Sequence, residues 1–214
     1  MNELNTIKQL EPFKDIIGKI LGYPFEEIGG IIGDPIRYLR IKILIILFKK
    51  FKKLLKNNNI EPQKIPLKIL SPLLESASLE EDESLSDRWA ELLLSASNPS
   101  TSKNVQPAFI EMLKTLTPIE AKILDDIYNN SEKTAKGKIQ RKPINIDYVT
   151  KKFNLSKPEY TIIIENLIRL NLCNSPVSGG TTWGSITLYR DNKEVILTPL
   201  GIAFIEACSA KKLV

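Results

Sequence analysis

The hydrophobic pattern of residues 36–56 predicts one long helix with two unlike faces. From Leu44 onward, apolar residues recur with the helical period, and lysines occupy the opposite side. Asp34 and Pro35 are typical of a helix start, because Asp accepts hydrogen bonds from free N–H groups and Pro suits the first helical position. The apolar face of this predicted helix consists of Leu44, Leu47, Phe48, Phe51, Leu54 and Leu55.

A glycine-punctuated apolar stretch, residues 13–34, precedes this helix. Glycines four residues apart lie on one helix face and allow a neighbouring helix to approach closely. Two interpretations stay open: tight packing of helices inside the fold, and self-association of the protein through the glycine face. The candidate residues are Gly18, Gly22, Gly29 and Gly33.

Short helices are predicted between residues 60 and 116, where prolines interrupt the chain. One helix is expected from Leu67 to Ser76, and another from Pro107 to about Leu116. Between them, the acidic run EEDESLSDRW leads into a helix whose apolar residues follow the spacing i, i+4, i+7 and i+8. Those apolar residues are Leu85, Trp89, Leu92 and Leu93.

The last hundred residues begin with a clear helix start. Thr117 is the predicted N-cap, and Glu120 completes a capping box, in which the two residues satisfy each other's free N–H groups. After this first helix we expect a short strand at 144–146 and a helix that ends near Phe153. A longer helix follows, with Ser156 as its predicted N-cap.

The chain beyond that longer helix is predicted to be extended. Ser178-Gly179-Gly180 is expected to form a turn, and strands at 185–189 and 194–197 are expected to pair as a hairpin through Asp191-Asn192-Lys193. Thr198-Pro199 starts a last helix. The order helix, strand, helix, helix, hairpin, helix is typical of a winged helix-turn-helix.

These elements together predict a mainly α protein, with a helical N-terminal part and a C-terminal winged helix-turn-helix-like domain that contains a small β-hairpin. The pattern divides the chain into three regions. Residues 1–58 hold the glycine-rich apolar segment and the basic amphipathic helix, residues 59–116 form a helical middle region with an acidic patch, and residues 117–214 form the winged-helix-like domain.

Charge is distributed unevenly along the chain, although the formal net charge is only +5. Residues 37–56 hold eight basic residues and no acidic one, whereas residues 75–91 hold seven acidic residues and one arginine. Either the two surfaces partly neutralise each other within the fold or across an oligomer, or the basic stretch binds an anionic partner such as a membrane or nucleic acid. The candidate membrane or anion contacts are Arg37, Arg40, Lys42, Lys49, Lys50, Lys52, Lys53 and Lys56.

The sequence predicts a cytoplasmic protein without a membrane-spanning helix. The apolar run at 43–48 is far shorter than the roughly 20 residues that a spanning helix needs. A lysine-rich amphipathic helix can still lie on an anionic membrane surface, so peripheral association with the inner membrane stays an alternative. Two isolated cysteines, Cys173 and Cys208, indicate a reducing compartment, and residues 1–11 lack the apolar core of a signal peptide.

The residues needed for most enzyme mechanisms are missing. The chain has no histidine, which removes histidine general bases, catalytic triads and most zinc sites. It also lacks the phosphate-binding pattern G-x-x-x-x-G-K-[ST]. The cluster Glu120, Lys122, Asp125 and Asp126 is interpreted as ordinary solvated charge on a surface helix. We therefore expect no enzymatic activity, no metal, no cofactor and no small-molecule substrate.

Three segments form what looks like a family signature: EEDESLSDRWAELLLSASNPS, PAFIEMLKTLTPIEAKILDDIY and VILTPLGIAFIEAC. Together they resemble the bacterial abortive-infection alpha family, which is still largely catalogued as a domain of unknown function. The segment DPIRYLRIKILIILFKKFKKLL also fits, so the resemblance extends from about residue 12 to 210. It implies a role in bacterial defence against phage, in which an infected cell stops growing or dies before phage matures. It implies no catalytic residues.

Two binding mechanisms stay open. In the first, the glycine-rich segment self-associates or the lysine helix docks on the inner membrane, and the winged-helix domain binds a protein partner. In the second, the winged helix is a regulator that binds nucleic acid directly. The predicted recognition helix, 156–172, offers two basic and two acidic side chains, which suits a phosphate backbone poorly. The nucleic-acid contacts in this alternative are Lys136, Lys138, Arg141, Lys142, Lys157, Tyr160, Arg169 and Arg190.

Overall fold

The architecture is mainly helical, with a small three-stranded antiparallel sheet. The chain divides into two compact units: unit 1 comprises Met1–Leu116 and Glu206–Val214, and unit 2 comprises Thr117–Ile205. The computed structural model describes residues 10–22, 35–133, 139–140, 142–175, 177–182, 185–190 and 194–209.

Unit 1 consists of helices in its described part. A short 3-10 turn, Glu11–Phe13, leads directly into the first helix. The helices are α1 (Lys14–Leu21), α2 (Pro35–Asn58), α3 (Leu67–Ala77), α4 (Glu83–Ser97) and α5 (Pro107–Thr115). Helix α2 packs along α4, and α3 packs against both α4 and α5. The predicted helices of this half of the chain are confirmed to within a few residues at their ends.

The apolar face of α2 lies in the core of unit 1. Phe51 is fully buried, Leu47 and Phe48 are 1% and 3% exposed, and the Phe48 ring stacks on the Phe13 ring with 6.0 Å between centroids. Trp89 of α4 is 1% exposed in the same core. Burying one such aromatic side chain stabilises the fold by about 2–3 kcal/mol. The apolar side of the amphipathic pattern therefore packs in the core of unit 1, where it is not exposed to a membrane surface.

Unit 2 alternates short strands and helices. It begins with α6 (Pro118–Asn129), whose predicted capping box of Thr117 and Glu120 is confirmed. The elements that follow are β1 (Glu132–Lys133), β2 (Ile139–Gln140), β3 (Ile144–Asn145), α7 (Ile146–Phe153), α8 (Lys157–Arg169), β4 (Cys173–Asn174), β5 (Val177–Thr182), β6 (Ser185–Arg190), β7 (Glu194–Leu197) and α9 (Pro199–Ala207), whose last two residues belong to unit 1. Ser156 caps α8 as predicted, in a second capping box with Glu159.

The strand pairing differs from the predicted hairpin. Strand β7 is the centre of the three-stranded sheet: it pairs antiparallel with β3, where Ile144 faces Val195, and with β4, where Cys173 faces Leu197. Strand β6 pairs with β5 instead of β7. The predicted turn at Ser178-Gly179-Gly180 is also wrong, because these residues lie inside β5.

The core of unit 2 forms between its helices and the small sheet. Tyr160, Ile164 and Leu167 of α8 are fully buried. At the start of α9, a Cβ atom on Gly201 would lie only 2.1 Å from the Leu172 carbonyl oxygen. The same oxygen accepts a hydrogen bond from the Thr198 N–H at 3.0 Å. Glycine is therefore required at position 201 for α9 to approach the chain that follows α8.

Candidate functional site

The outward side of α2 carries a row of lysines. Lys42, Lys49, Lys53 and Lys56 are separated by seven, four and three residues, a spacing that places all of them on one helix face. All are exposed, and α2 contains no acidic residue. We call this set the lysine face. It lies opposite the buried side of the same helix.

The charge of three members of the lysine face is not neutralised within the described residues. There, no carboxylate pairs with Lys49, Lys53 or Lys56. Like charges three or four residues apart on a helix repel each other by a few tenths of a kcal/mol per pair. A surface whose positive charges repel each other and have no carboxylate partners attracts anions. Ile46 lies on the same face and is 48% exposed, so the face also presents an apolar side chain.

Two of the predicted basic contacts point elsewhere. The Arg40 Nε donates to Ser78 Oγ at 2.7 Å, and its Nη2 donates to the Glu75 backbone carbonyl oxygen at 3.3 Å. The Lys50 Nζ lies 2.7 Å from Asp87 Oδ1 and donates to the Glu83 carbonyl oxygen at 3.1 Å. The acidic stretch thus takes up part of the basic charge within unit 1.

Two further predicted contacts, Lys52 and Arg37, also belong to α2. Lys52 is exposed, and its Nζ lies 6.0 Å from the centroid of the Phe13 ring. That distance is at the outer limit of a cation–π contact. Arg37 belongs to α2, but its side chain lies outside the described part of the structure.

The predicted glycine face is only partly within the described residues. Gly18 lies inside α1, whereas Gly22 follows the last residue of α1 and takes the left-handed conformation with φ of 78°. A helix ends commonly on such a glycine, because a Cβ atom is strained there. Gly22 therefore has a local reason to be glycine, and the role of these residues in helix packing or self-association stays a prediction. Gly29 and Gly33 lie outside the described residues.

Helix α8 offers a mixed surface. Lys157 and Arg169 are exposed at its two ends, with the exposed Glu165 between them. The Arg169 guanidinium donates to Asn166 Oδ1 at 2.6 and 3.1 Å, and the Asn166 amide donates to Glu120 Oε1 at 2.6 Å. Ile162 is 69% exposed in the middle of this surface. Sequence reasoning missed that exposure.

Tyr160 is wrong as a nucleic-acid contact. Its side chain is fully buried, and burial raises the pKa of its hydroxyl to about 12. Lys142 is exposed just before β3. The other candidates of this alternative lie beyond what the structure describes: Lys136, Lys138 and Arg141 wholly, and Arg190 in its side chain.

The acidic residues of α6 are structural rather than freely solvated. Glu120 is 4% exposed, and its Oε2 accepts from the Thr117 N–H at 2.7 Å. Asp126 Oδ1 pairs with the Lys152 Nζ, which also donates to the Tyr148 hydroxyl at 3.0 Å. These two hydrogen bonds raise the pKa of Lys152 above 10.5. The interpretation of this cluster as solvated charge is therefore wrong for Glu120 and Asp126, which join α6 to α8 and α7.

The described residues contain neither a candidate metal site nor a helix that could span a membrane. Within those ranges, no group of three or more histidine, cysteine, aspartate or glutamate residues is placed to hold a metal ion. Among the helices that the structure describes, none combines the length and the apolar character needed to cross a membrane.

Comparison with known proteins gives one match. No curated protein and no solved structure matches the chain. Residues 41–208 match the family described as abortive infection alpha. The match begins inside α2, so it includes the lysine face and both capping boxes but not the glycine-rich segment. Because it covers most of the sequence, the chain belongs to the abortive infection alpha family.

Proposed function

We propose that this protein is a non-catalytic component of phage defence that binds an anionic membrane surface through the lysine face of α2. Family membership supports the role in abortive infection. The observation that carries the binding mode is the exposed row of lysines on a helix without an acidic residue. In this proposal the protein is cytoplasmic and associates peripherally with the inner membrane.

The buried apolar side of α2 determines how such binding works. Since Phe51 and its neighbours are in the core, the helix does not insert, and attraction is mainly electrostatic. Each lysine near an anionic lipid surface contributes about 1 kcal/mol, so the lysine face supplies roughly 4 kcal/mol. Attraction of this kind falls steeply as salt increases. Ile46 adds an apolar contact at the level of the headgroups.

Flotation of the full chain with vesicles tests the proposal. Vesicles of phosphatidylglycerol and phosphatidylcholine are compared with vesicles of phosphatidylcholine alone, at low and high salt. We expect wild type to float only with the anionic vesicles at low salt. The variant Lys42→Glu/Lys49→Glu/Lys53→Glu loses at least the attraction of three lysines, and we expect its binding to fall roughly 100-fold.

A matched variant separates position from total charge. Lys68→Glu/Lys103→Glu/Lys114→Glu changes the net charge by the same amount at exposed sites elsewhere in unit 1. We expect it to float nearly as wild type does, since these residues lie off the lysine face. Equal losses in the two triple variants would show that only net charge matters. Absence of wild-type flotation at low salt would rule out the membrane.

For unit 2 we propose a winged helix-turn-helix. The order α6, β3, α7, α8, β4, β7 supports this assignment, as does the pairing of β3, β7 and β4 in one antiparallel sheet. The pair β5 and β6 lies between β4 and β7 in the chain, where a winged helix carries its wing. Helix α8 occupies the place of the recognition helix.

The exposed Ile162 favours a protein partner for this winged helix as a second candidate function. A recognition helix for nucleic acid presents basic and amide groups, whereas α8 presents an isoleucine and both signs of charge. We expect Ile162→Ser to abolish protection in a phage plating assay if a protein partner is bound there. Loss of protection in Lys157→Glu, together with salt-sensitive binding of random DNA, would instead support the nucleic-acid alternative.

A further inference from the structure

An open groove of about 370 Å³ lies in unit 1, between α1 and the C-terminal half of α2. Its walls are Ile16 and Lys19 from α1 and Lys52, Leu55 and Lys56 from α2. Residues 59–62, which follow α2, also line it. The volume falls within the range of small-molecule sites in proteins. We call it the α1–α2 groove.

The groove has an excess of positive charge. Lys19 forms an ion pair with Glu61 at the rim, where both side chains are largely exposed. Lys52 and Lys56 are one helical turn apart on the opposite wall, and no carboxylate of the described residues pairs with them. Two lysines one helical turn apart without a counter-ion suit an anion that has several acceptor oxygens, as phosphate does.

The groove also has an apolar wall. Leu55 is 7% exposed in its lining, and Ile16 and Ile60 are half-buried beside it. A bare inorganic anion would leave this surface in contact with water. A phosphate esterified to an apolar group would cover it and still reach the lysines.

We propose that the α1–α2 groove binds the phosphate group of a membrane lipid headgroup. The ammonium groups of Lys52 and Lys56 donate hydrogen bonds to the phosphate oxygens, and Ile16 and Leu55 contact the carbons next to the ester. This inference rests on the proposed function and deepens it, because it assigns one lipid headgroup to a defined place beside the lysine face. Lys56 belongs to both surfaces.

A soluble short-chain lipid tests the groove without any membrane. Dihexanoyl phosphatidic acid is titrated into the full chain below its micelle concentration, and binding is followed by calorimetry. Lys52→Gln/Lys56→Gln removes both phosphate donors, and we expect the affinity to fall about tenfold. Lys42→Gln/Lys49→Gln removes the same charge from the lysine face outside the groove, and we expect the affinity to stay within twofold of wild type.

Two further ligands distinguish the possible sources of the phosphate. Inorganic phosphate lacks an apolar part, and we expect it to bind at least tenfold more weakly than the short-chain lipid. Adenosine monophosphate is a soluble phosphate ester without acyl chains. If it binds as tightly as the lipid and is equally sensitive to Lys52→Gln/Lys56→Gln, the natural ligand is a soluble phosphate ester and the lipid assignment is overturned.

Flotation separates this inference from the proposed function. If wild type floats with anionic vesicles but does not bind the short-chain lipid, the groove proposal fails and the membrane proposal stands. If the groove binds the lipid in a way that depends on Lys52 and Lys56 but wild type does not float, the membrane proposal fails alone. Equal lipid binding by the groove and lysine-face variants would overturn the groove proposal.

Discussion

Helices α2 and α8 are both amphipathic and both bury their apolar side within their own unit, yet their outward surfaces are unlike. The outward surface of α2 is basic from Lys42 to Lys56, and within the described residues no carboxylate pairs with Lys49, Lys53 or Lys56. On α8, two basic and two acidic residues flank the exposed Ile162. Helix α2 therefore presents a net positive charge, whereas α8 presents an exposed apolar side chain and little net charge.

The difference indicates which helix is suited to which partner. The capping box on α8 holds the Glu159 carboxylate at the Ser156 N–H, and Asn166 holds the Arg169 guanidinium. A charged group that is already hydrogen-bonded within its own unit adds little to anion binding. The ammonium groups of Lys49, Lys53 and Lys56 have no such contacts among the described residues. We therefore expect α2 to supply long-range electrostatic attraction and α8 to supply short-range contacts with a partner.

The variant with the largest expected effect tests whether the inward side of α2 belongs to the hydrophobic core. Phe51→Ala removes a fully buried ring, and we expect it to lower the free energy of unfolding of unit 1 by about 4 kcal/mol. Urea unfolding followed by Trp89 fluorescence, in a Trp183→Phe background, measures the loss. Ile46→Ala on the outward side should change it by less than about 0.5 kcal/mol. Similar losses in the two variants would remove the distinction between the faces of α2.

The sequence predicts the elements better than their partners. The period of apolar residues on α2 identifies its buried side, and the capping boxes at Thr117 and Ser156 locate two helix starts, because these signals are local. The partner of β7 is not local. Strands of two to four residues carry too little pattern to choose between β6, β3 and β4, so the predicted hairpin is wrong.

Side-chain partners across elements are equally hidden from the sequence. Arg40 and Lys50 look like members of one basic surface, but they contact residues more than 30 positions away. Consecutive isoleucines at 162–164 are also ambiguous, since periodicity does not say that Ile162 is exposed and Ile164 is buried. The α1–α2 groove has no sequence signal, because Lys19 and Lys52 line the same groove only in the folded arrangement of α1 and α2.

A second prediction concerns the close approach of α9 to the chain that follows α8. Gly201→Ala places a Cβ atom 2.1 Å from the Leu172 carbonyl oxygen, and we expect it to lower the free energy of unfolding of unit 2 by about 3 kcal/mol. Helix propensity alone predicts the opposite sign, a gain of about 1 kcal/mol. Hydrogen exchange of peptides from α8 and α9 measures the change. A stabilised variant would show that the close approach is not required.

A third prediction compares the two capping boxes. Glu120 is buried and also accepts from the Asn166 amide, whereas Glu159 is exposed. We expect Glu120→Ala to lower the free energy of unfolding of unit 2 by about 2 kcal/mol, and Glu159→Ala to lower it by clearly less. Urea-dependent hydrogen exchange of α6 and α8 peptides gives both values. Glu120→Ala should also release Arg169 by freeing Asn166, and a loss no larger than that of Glu159→Ala would contradict this coupling.

The smallest expected effect is the pH dependence of the α8 cap. Hydrogen bonds from the Ser156 hydroxyl and N–H lower the pKa of Glu159 below 4.5. The folded state therefore binds this proton less readily than the unfolded state does, so the contribution of Glu159 is complete above about pH 4.5 and disappears as the pH falls through the folded-state pKa. Glu159→Gln keeps the shape of the side chain and removes the titration. We expect the melting temperature of wild type to exceed that of Glu159→Gln at pH 7 and the two to converge as the pH falls through the folded-state pKa, because the protonated carboxyl and the amide are then alike. A difference that stays constant over the whole acid titration would show that the carboxylate charge does not stabilise the start of α8. The contrast between the hydrogen-bonded charges on α8 and the unpaired lysines on α2 would then lose this support.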